Sequence, residues 1–449
     1  MQAADTIVAL ASAPGPAGVA VLRISGPDAL AIGAALAGRS PQRMPHGRMQ
    51  VARMRERDEI LDQGYAVAFR GPRSFTGEDV VELHVHGSPA GVARLLAAAV
   101  AHGARRAGPG EFSRRAFLNG KLDLVQAESL AALVSADSES ARRSALAGVD
   151  GRLGERMRAL REPIVELRAA IEARLDFPVD ADVDAFDAAT AITTLAGLTL
   201  KLAGLLATAR AARLRLQGAR VALAGPPNAG KSTLFNALVG TDRALVHEAP
   251  GTTRDTLECT TLVAGRTVVW VDMAGDRETT DTVEREGVAR ARRAVAAADL
   301  VLWLEDGGEP PCPSPSVPDH VPFLRLRGKG DQPPHPAWAA AASATDDVVS
   351  GHRAGDVERV LARVAALLDQ LEGDCRGDDV VLTRARQADG IERAMAAVAA
   401  ASEALREGAL LECVAADLAA AGDALDEVIG AVVPDDVLDA VFGSFCIGK

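Results

Sequence analysis

The sequence predicts a multidomain protein. It has an α+β N-terminal domain, an all-α domain built from two separated segments, and an α/β P-loop domain inserted between those segments. Short apolar runs and turn residues alternate over residues 1–120. Alanine-rich helical patterning fills 121–216 and resumes over 373–449. Between them, 217–372 opens on a strand, a glycine-rich loop and a helix in immediate succession.

In the first domain, Thr6–Leu10, Gly18–Ser25, Gly64–Phe69 and Asp79–His86 read as strands, the last from the alternation V-V-E-L-H-V-H. Helices are predicted over Asp28–Leu36 and Pro89–His102. His84 and His86 share one strand face, but no third ligand lies near. They are expected to be ordinary core or solvent-facing histidines rather than metal ligands. A polar, basic stretch, Gly110 to Asp123, then opens the helical region. From Met157 onward, Leu160, Ile164, Leu167, Ile171 and Leu175 recur every three or four residues, the pattern of a helix with one buried stripe. Asp176 to Asp187 is an acidic interruption, read as a solvated loop. Leu195–Leu216 resumes the helix, and Ala385–Gly408 and Leu410–Val433 return to the same patterning. Asp306–Pro322 and Gly328–Pro336 are rich in Pro and Gly and read as loops.

Composition narrows the function classes. Of 449 residues, 48% are hydrophobic and 24% charged, ordinary proportions for a globular protein. No run of about 18 uncharged apolar residues appears, so no membrane span is expected. The start lacks a basic segment ahead of an apolar one, so no secretory signal is expected either. Cys259, Cys312, Cys375, Cys413 and Cys446 are scattered without C-x-x-C spacing, which fits a reducing cytoplasm and argues against structural zinc. A net charge of −12 disfavours wholesale coating of nucleic acid, though not an RNA substrate held on a local basic patch.

The chemistry concentrates after residue 219. Gly225-Pro226-Pro227-Asn228-Ala229-Gly230-Lys231-Ser232-Thr233 fits G-x-x-x-x-G-K-[ST], with Ala219–Ala224 as the strand before it and Lys231–Leu238 as the helix after. Glycines let the backbone approach a phosphate, and unpaired amides at the helix start face the anion. Lys231 would reach the β/γ-phosphates and the Ser232 hydroxyl would bind Mg²⁺. Downstream, Gly251-Thr252-Thr253-Arg254-Asp255 can supply a second Mg²⁺ hydroxyl and fold over the γ-phosphate. Val268–Asp272 is an apolar strand ending in a carboxylate for the metal, followed by Gly275 for a mobile amide. In this order the pieces specify a G-protein-like NTPase.

The base end departs from pattern. Instead of N-K-x-D, a strand is followed by Gly328-Lys329-Gly330-Asp331. Asp331 can accept from the guanine N1 and N2 groups, and the Lys329 stem can cover the ring. Gly328 offers no side-chain amide, a loss of about 1–3 kcal/mol where the group it served stays buried. GTP is the expected nucleotide, with an adenine-tolerant site the alternative, and Ser343-Ala344 is the candidate last base-contacting loop. Asn228 and Thr252 could together hold a monovalent cation beside the phosphates, where other GTPases use an arginine finger. Asn228 also suits an ordinary turn.

Several stretches together resemble the TrmE/MnmE tRNA-modification GTPases. They are L-R-I-S-G (Leu22–Gly26), S-F-T-G-E-D (Ser74–Asp79), P-G-E-F-S-x-R-A-F-L-N-G-K-L-D (Pro109–Asp123), the P-loop, G-T-T-R-D, and the terminal F-C-I-G-K (Phe445–Lys449). The resemblance runs from residue 5 to the last residue in the same order. It implies a tetrahydrofolate-binding N-terminal domain that forms a homodimer, a helical domain, and an inserted Ras-like G domain. The implied activity is K⁺-dependent GTP hydrolysis coupled to carboxymethylaminomethyl modification of the wobble uridine of tRNA. That work is shared with a flavin-containing partner carrying the FAD, in a heterotetramer, with 5-formyl- or methylene-tetrahydrofolate as the one-carbon source. Folate contacts would fall on Arg23, Glu82, Lys121 and Lys449. Mg²⁺ would fall on Ser232 and Thr253. K⁺ would fall on Asn228 and Thr252 with His247 and Ala249. Nucleotide contacts would span Asn228 to Thr233, Thr252, Thr253, Asp272, Gly275, Lys329, Asp331, Ser343 and Ala344. Glu284 is implicated in hydrolysis, with Arg254 and Cys446 as the other catalytic candidates.

Cys446 has two readings, a reactive thiol in the modification chemistry or a buried small hydrophobe. The terminal C-I-G-K is no prenylation box, since Ile-Gly is a poor aliphatic pair and Lys stands last. The departures from the family, Met273 within D-x-A-G and Gly328, both lie in the G domain. They predict intact folate and helical modules with weakened guanine affinity. A regulatory or ribosome-assembly GTPase without modification chemistry is the competing reading, and a degenerate scaffold a third.

Overall fold

The structure, a computed structural model, describes residues 5–176, 186–240, 257–272, 297–312, 321–338, 347–372 and 382–448. The chain divides into two compact units. One comprises Met1–Ala131, Gly148–Leu200 and Asp389–Lys449; the other comprises Ala132–Ala147 and Lys201–Ala388.

The first unit holds a six-stranded sheet of order β3-β4-β5-β2-β1-β6. Its strands are β1 (Ile7–Leu10), β2 (Ala17–Ser25), β3 (Gln50–Glu56), β4 (Glu59–Phe69), β5 (Val80–Gly87) and β6 (Arg105–Arg106). Helices α1 (Ala29–Leu36) and α2 (Pro89–Ala101) cover one face. Leu22, Ile24, Val81, Leu83, Met54 and Leu95 form the core there, fully excluded from water. The four predicted strands and two helices form within a few residues of their expected bounds. The hairpin arm β3 was not predicted. Its segment alternates inward Ala52 and Met54 with outward Val51, Arg53 and Arg55, and the arginines disguise a half-buried strand as a basic loop.

Beyond the sheet come α3 (Glu111–Leu118), α4 (Leu124–Val134), α5 (Glu139–Val149), α6 (Arg152–Asp176) and α7 (Ala188–Gln217). Residues 177–185, most of the predicted acidic loop, lie outside the described residues. In α6, Met157, Leu160, Ile164 and Ile171 are buried, as the stripe predicts, while Leu167 and Leu175 are half-buried. Two late helices, α10 (Ala385–Glu407) and α11 (Leu411–Ile429), return to this unit from the far end of the chain. They follow α9 (Ala354–Glu372) of the second unit and precede α12 (Asp435–Gly443). A Cβ at Gly390 of α10 would lie 2.5 Å from the Val428 side chain of α11, so only glycine permits that approach. Arg161 of α6 stands 2.6 Å from the Asp426 carboxylate of α11.

By length and composition α7 could cross a membrane, although Lys201 breaks any uncharged run. Its buried residues Ala191, Leu195, Leu198, Leu202 and Leu205 recur every three or four positions, the stripe of a bundle helix.

The second unit is built on the sheet β12-β11-β10-β7-β9-β8. Its strands are β7 (Ala219–Ala224), β8 (Leu257–Val263), β9 (Arg266–Asp272), β10 (Leu300–Asp306), β11 (Phe323–Gly328) and β12 (Asp347–Val348), with α8 (Lys231–Val239) following β7. Every pairing is parallel except the β8–β9 hairpin. Strands β7, β9 and β11 sit where the sequence places them, while β8, β10 and β12 were not predicted. On one face Leu223, Leu234, Leu238, Trp270, Leu302 and Val364 pack together. Trp270 is fully buried and donates from Nε1 to the Thr261 hydroxyl at 2.7 Å.

Candidate nucleotide and cofactor sites

Strand β7 delivers the chain to the glycine loop, and β10 forces the identity of the first glycine. Trp303 pairs with Ala224, so the Leu304 backbone lies against residue 225. Gly225 has φ +150°, and a Cβ there would stand 1.9 Å from the Leu304 carbonyl oxygen. No other residue fits. Asn228 adopts φ 59°, a left-handed conformation that asparagine tolerates better than most residues, and it is exposed. Gly230 caps α8, leaving Lys231, Ser232 and Thr233 on its first turn.

Lys231 turns back over the loop and donates to the carbonyls of Gly225 (3.0 Å) and Pro226 (2.8 Å). Partial burial lowers its pKa, and the charge of Asp272 opposes that shift. Asp272 is 2% exposed and pairs in register with Leu223, one residue before the end of the P-loop strand. The parallel register thus brings a strand-terminal carboxylate to the Lys231 side of the loop. Ser232 and Thr233 are exposed at the helix start, where a hydroxyl can meet a metal or a phosphate.

At the base end the structure encloses a cavity of about 130 Å³. Ala229, Gly230 and Thr233 of the loop region line one side; Gly328, Lys329, Asp331, Ser350, Gly351 and His352 line the other. Lys329 has φ 52°, and its ammonium pairs with Asp306 at 2.5 Å, leaving its stem along the cavity. The Ser350 hydroxyl, with His352 and Arg353 nearby, lowers the Asp331 carboxyl below its ordinary value. A Cβ at Gly328 would lie 3.0 Å from both the Ala229 and Glu305 carbonyls and 3.1 Å from Leu304. Glycine at 328 therefore goes with a close approach of β11 to the P-loop.

Sequence reasoning missed the loop after β12. Val349 hydrogen-bonds Arg327 and Gly330, and Ser350 receives its fix from the Asp356 carboxylate at 2.9 Å. A Cβ at Gly351 would lie 3.0 Å from Thr233 of α8. Its only signal was the short apolar pair Val348-Val349 ahead of Ser350-Gly351-His352. Ser343 and Ala344 lie outside the described residues, as do His247, Ala249, Thr252, Thr253, Arg254, Met273, Gly275 and Glu284.

The second site lies on the first sheet. Arg23 and Glu82 are direct cross-strand partners on β2 and β5, joined at 2.8–2.9 Å. The Arg23 guanidinium also lies over the Phe75 ring at 5.2 Å and the Phe112 ring at 5.8 Å. These cation–π contacts and the Glu82 pair together fix the position of the guanidinium. His84 Nε2 stands 3.4 Å from Glu82 without a hydrogen bond, and exposed His86 bonds Asp62 at 2.7 Å. No group of three metal-ligating side chains occurs among the described residues.

Lys121 donates to the Pro72 carbonyl (3.1 Å) and Asn119 to that of Thr76 (2.7 Å), which ties the S-F-T-G-E-D loop to α3's end. The C-terminal tail folds onto this same domain. Gly110 N–H donates to the Cys446 carbonyl, Pro109 bridges Ile447, and Gly448 packs so closely on Leu10 that a Cβ would lie 2.0 Å from its carbonyl. Leu10 pairs with Leu22, the neighbour of Arg23. Cys446 is exposed, so it is not a buried hydrophobe; Phe445 and Phe442 fill that role beside Leu124. Lys449 lies outside the described residues.

A lysine-bearing glycine loop beside a buried strand-terminal aspartate, on a parallel sheet, is the site of a P-loop GTPase-type domain. Comparison with known proteins extends this to the whole chain. The family model "GTP-binding protein TrmE N-terminus" matches residues 6–121, and "MnmE helical domain" matches 124–446. The chain is 43% identical over 449 residues to the tRNA modification GTPase MnmE of Myxococcus xanthus, with 99% of each covered. It is 42% identical to the protein of that name from Azorhizobium caulinodans and 40% identical to that from Thermus thermophilus, with 100% of each chain covered in both cases. Among solved structures, Aquifex aeolicus Era is 21% identical, covering 40% of this chain and 66% of its own, with a TM-score of 0.28. The chain belongs to the MnmE family of tRNA modification GTPases.

Proposed function

We propose that this protein hydrolyses GTP in a K⁺-dependent manner and, with an FAD-carrying partner, takes part in carboxymethylaminomethyl modification of the wobble uridine of tRNA. One observation carries the reading: tail residues Cys446–Gly448 are seated against Gly110, Pro109 and Leu10 of the N-terminal domain, which also holds the Arg23–Glu82 pair, in a chain that also carries a phosphate-binding loop. A plain nucleotide switch has no use for that second site. The functional domains would be 1–120, 121–216 with 373–449, and 217–372.

Lys231 would release the two loop carbonyls and draw its ammonium to the β/γ-phosphates, with Asp272 keeping it charged against burial. The exposed Ser232 hydroxyl fits a Mg²⁺ ligand, with Thr253 as the second; Asn228, exposed and left-handed, fits a K⁺ ligand with Thr252, His247 and Ala249. When bound, these cations would neutralise charge developing on the transferred phosphoryl group. Asp331 would exchange its Ser350 partner for the guanine edge. Glu284 and Arg254 remain the proposed hydrolytic residues.

In the N-terminal domain, Glu82 can accept from a pterin ring and Arg23 can meet an anionic or carbonyl edge, with Phe75 and Phe112 as apolar walls. Lys121 and Lys449 would complete the folate contacts. The folate would supply the one-carbon unit, and the exposed Cys446 thiol would act in the modification chemistry. The protein would work in the cytoplasm as a homodimer through this domain, within a heterotetramer. The test is nucleoside analysis of tRNA from cells lacking the protein, complemented with wild type or Cys446→Ser. Loss of wobble modification restored by wild type supports the reading; unchanged wobble uridines reject it.

A further inference from the structure

We propose that the N-terminal domain carries a second polyanion site, formed by Arg39, Arg43, Arg53 and Arg55, that binds the phosphodiester backbone of RNA. It rests on the reading of this chain as acting on tRNA. A cavity of about 820 Å³ opens between the C-terminal end of α1, the single helical turn Pro41–Arg43 and the edge strand β3. Four arginines line it and no carboxylate does. The whole chain carries a net charge of −12, so attraction of a nucleic acid requires a local concentration of cations, and residues 37–55 supply it. Arg39, Arg43, Arg48, Arg53 and Arg55 occur there without a single Asp or Glu.

The site is built rather than merely basic. Arg39 donates to Gln50 Oε1 at 3.3 Å and to the Val51 carbonyl, which fixes that guanidinium against β3. Arg70 donates to the carbonyls of Pro41 (3.2 Å) and Met44 (3.4 Å), clamping the turn that presents Arg43. Met44, 2% exposed, anchors the same turn in the core. Arg53 and Arg55, two apart on β3, project to one face, and the Arg55 stem runs along Gly38, where an added Cβ would lie 3.4 Å from its Cδ. Of the hairpin's carboxylates, Glu56 and Glu59 are engaged by Arg94 at 3.2 and 2.7 Å, and Asp62, opposite Met54, by His86 at 2.7 Å. Arg43, Arg53 and Arg55 thus have no ion pair among the described residues. Guanidinium forks suit phosphate oxygens, which accept two parallel hydrogen bonds.

The test uses the full-length protein and measures tRNA affinity by anisotropy across a salt series. Combined Arg43→Gln, Arg53→Gln and Arg55→Gln substitutions should weaken binding at least about tenfold at 0.1 M salt. They should also flatten the slope of log K against log salt by about two to three, since each phosphate contact contributes roughly 0.7–0.9. The tRNA-free GTPase rate and the melting temperature should not change. Arg48→Gln, outside the cavity, should leave the affinity within about twofold and the slope within about one. Equal affinity and slope in triple variant and wild type overturn the site. So does an Arg48→Gln loss as large as that of the triple variant, which would indicate diffuse charge. Retained tRNA binding with lost assembly onto the flavin-containing partner also overturns it, pointing to an acidic protein surface. None of these touches the tRNA reading itself, which falls only if wobble uridines are unchanged in cells lacking the protein.

Discussion

Each of the two sheets has six strands, but they spend their faces differently. In the parallel sheet, β7 and β10 are buried almost residue after residue, so strand bodies hold the fold and chemistry is confined to strand ends. Gly225, Asp272 and Gly328 all sit at such ends. In the other sheet, antiparallel except for the β1–β6 pairing, burial alternates, as in β5 and β3. Helices cover one face and the other is partly open, so functional side chains stand along strand bodies: Arg23 and Glu82 mid-sheet, Arg53 and Arg55 at the edge. The lesson is where mutations should act. Strand-end changes in the parallel sheet should strike chemistry or close packing; strand-body changes in the antiparallel sheet should strike ligands while sparing the core.

The largest effect expected is at a strand end. Lys231→Ala should lower the GTP hydrolysis rate by about 10²–10³-fold with little change in melting temperature, measured by phosphate release. A fall in stability matching the loss of rate would break the comparison, because Lys231 would then be packing rather than chemistry. Gly225→Ala should cost about 3 kcal/mol or more, since both φ and the Leu304 carbonyl exclude a methyl group, and denaturant unfolding would register it.

Next comes the antiparallel face. Arg23→Met should abolish measurable tetrahydrofolate binding by calorimetry while leaving GTP hydrolysis untouched. Its stability cost should stay within about 1–3 kcal/mol, from leaving Glu82 without its partner. A change in GTPase rate would contradict the separation of the two sites. At the base end, Gly328 predicts GDP binding about tenfold or more weaker than for proteins with N-K-x-D, by titration with GDP, GTP and ATP. Equal tightness would show that the Ser350–His352 loop compensates.

The smallest effect is acidic. Asp5 and Glu111 are held below their ordinary values of 3.8 and 4.5, Asp5 chiefly by Arg105 and Glu111 by Arg105, the Gly108 amide and Arg115 against its own burial. A depressed folded pKa adds stability that is full above the unfolded value and lost as pH falls through the folded one. Between pH 7 and 5 this cluster should therefore contribute no pH dependence, and below about 4.5 the N-terminal unit should weaken. Arg105→Gln should flatten that acid limb in a pH series of melting temperatures.

The P-loop was legible because its chemistry is contiguous. Strand, glycine turn and helix start follow one another from Ala219 to Leu238, and local conformation alone places their amides and hydroxyls. The helical stripes were legible for the same reason, since three- and four-residue spacing is a property of one element. The strand β3 escaped because arginines at its outward positions hid its alternation. The loop Val349–His352 escaped because its value comes from parallel pairing to β11 and contact with Thr233, both remote in sequence. Sequence by itself determined the helical stripes, the P-loop and which residues could bind a phosphate, because those depend on near neighbours and backbone sterics. Tertiary structure alone decided that Asp272 faces Lys231, that the tail from Phe445 returns to Leu10, and that Arg39, Arg43, Arg53 and Arg55 line one cavity. Register and long-range closure set those meetings, and no local pattern encodes them.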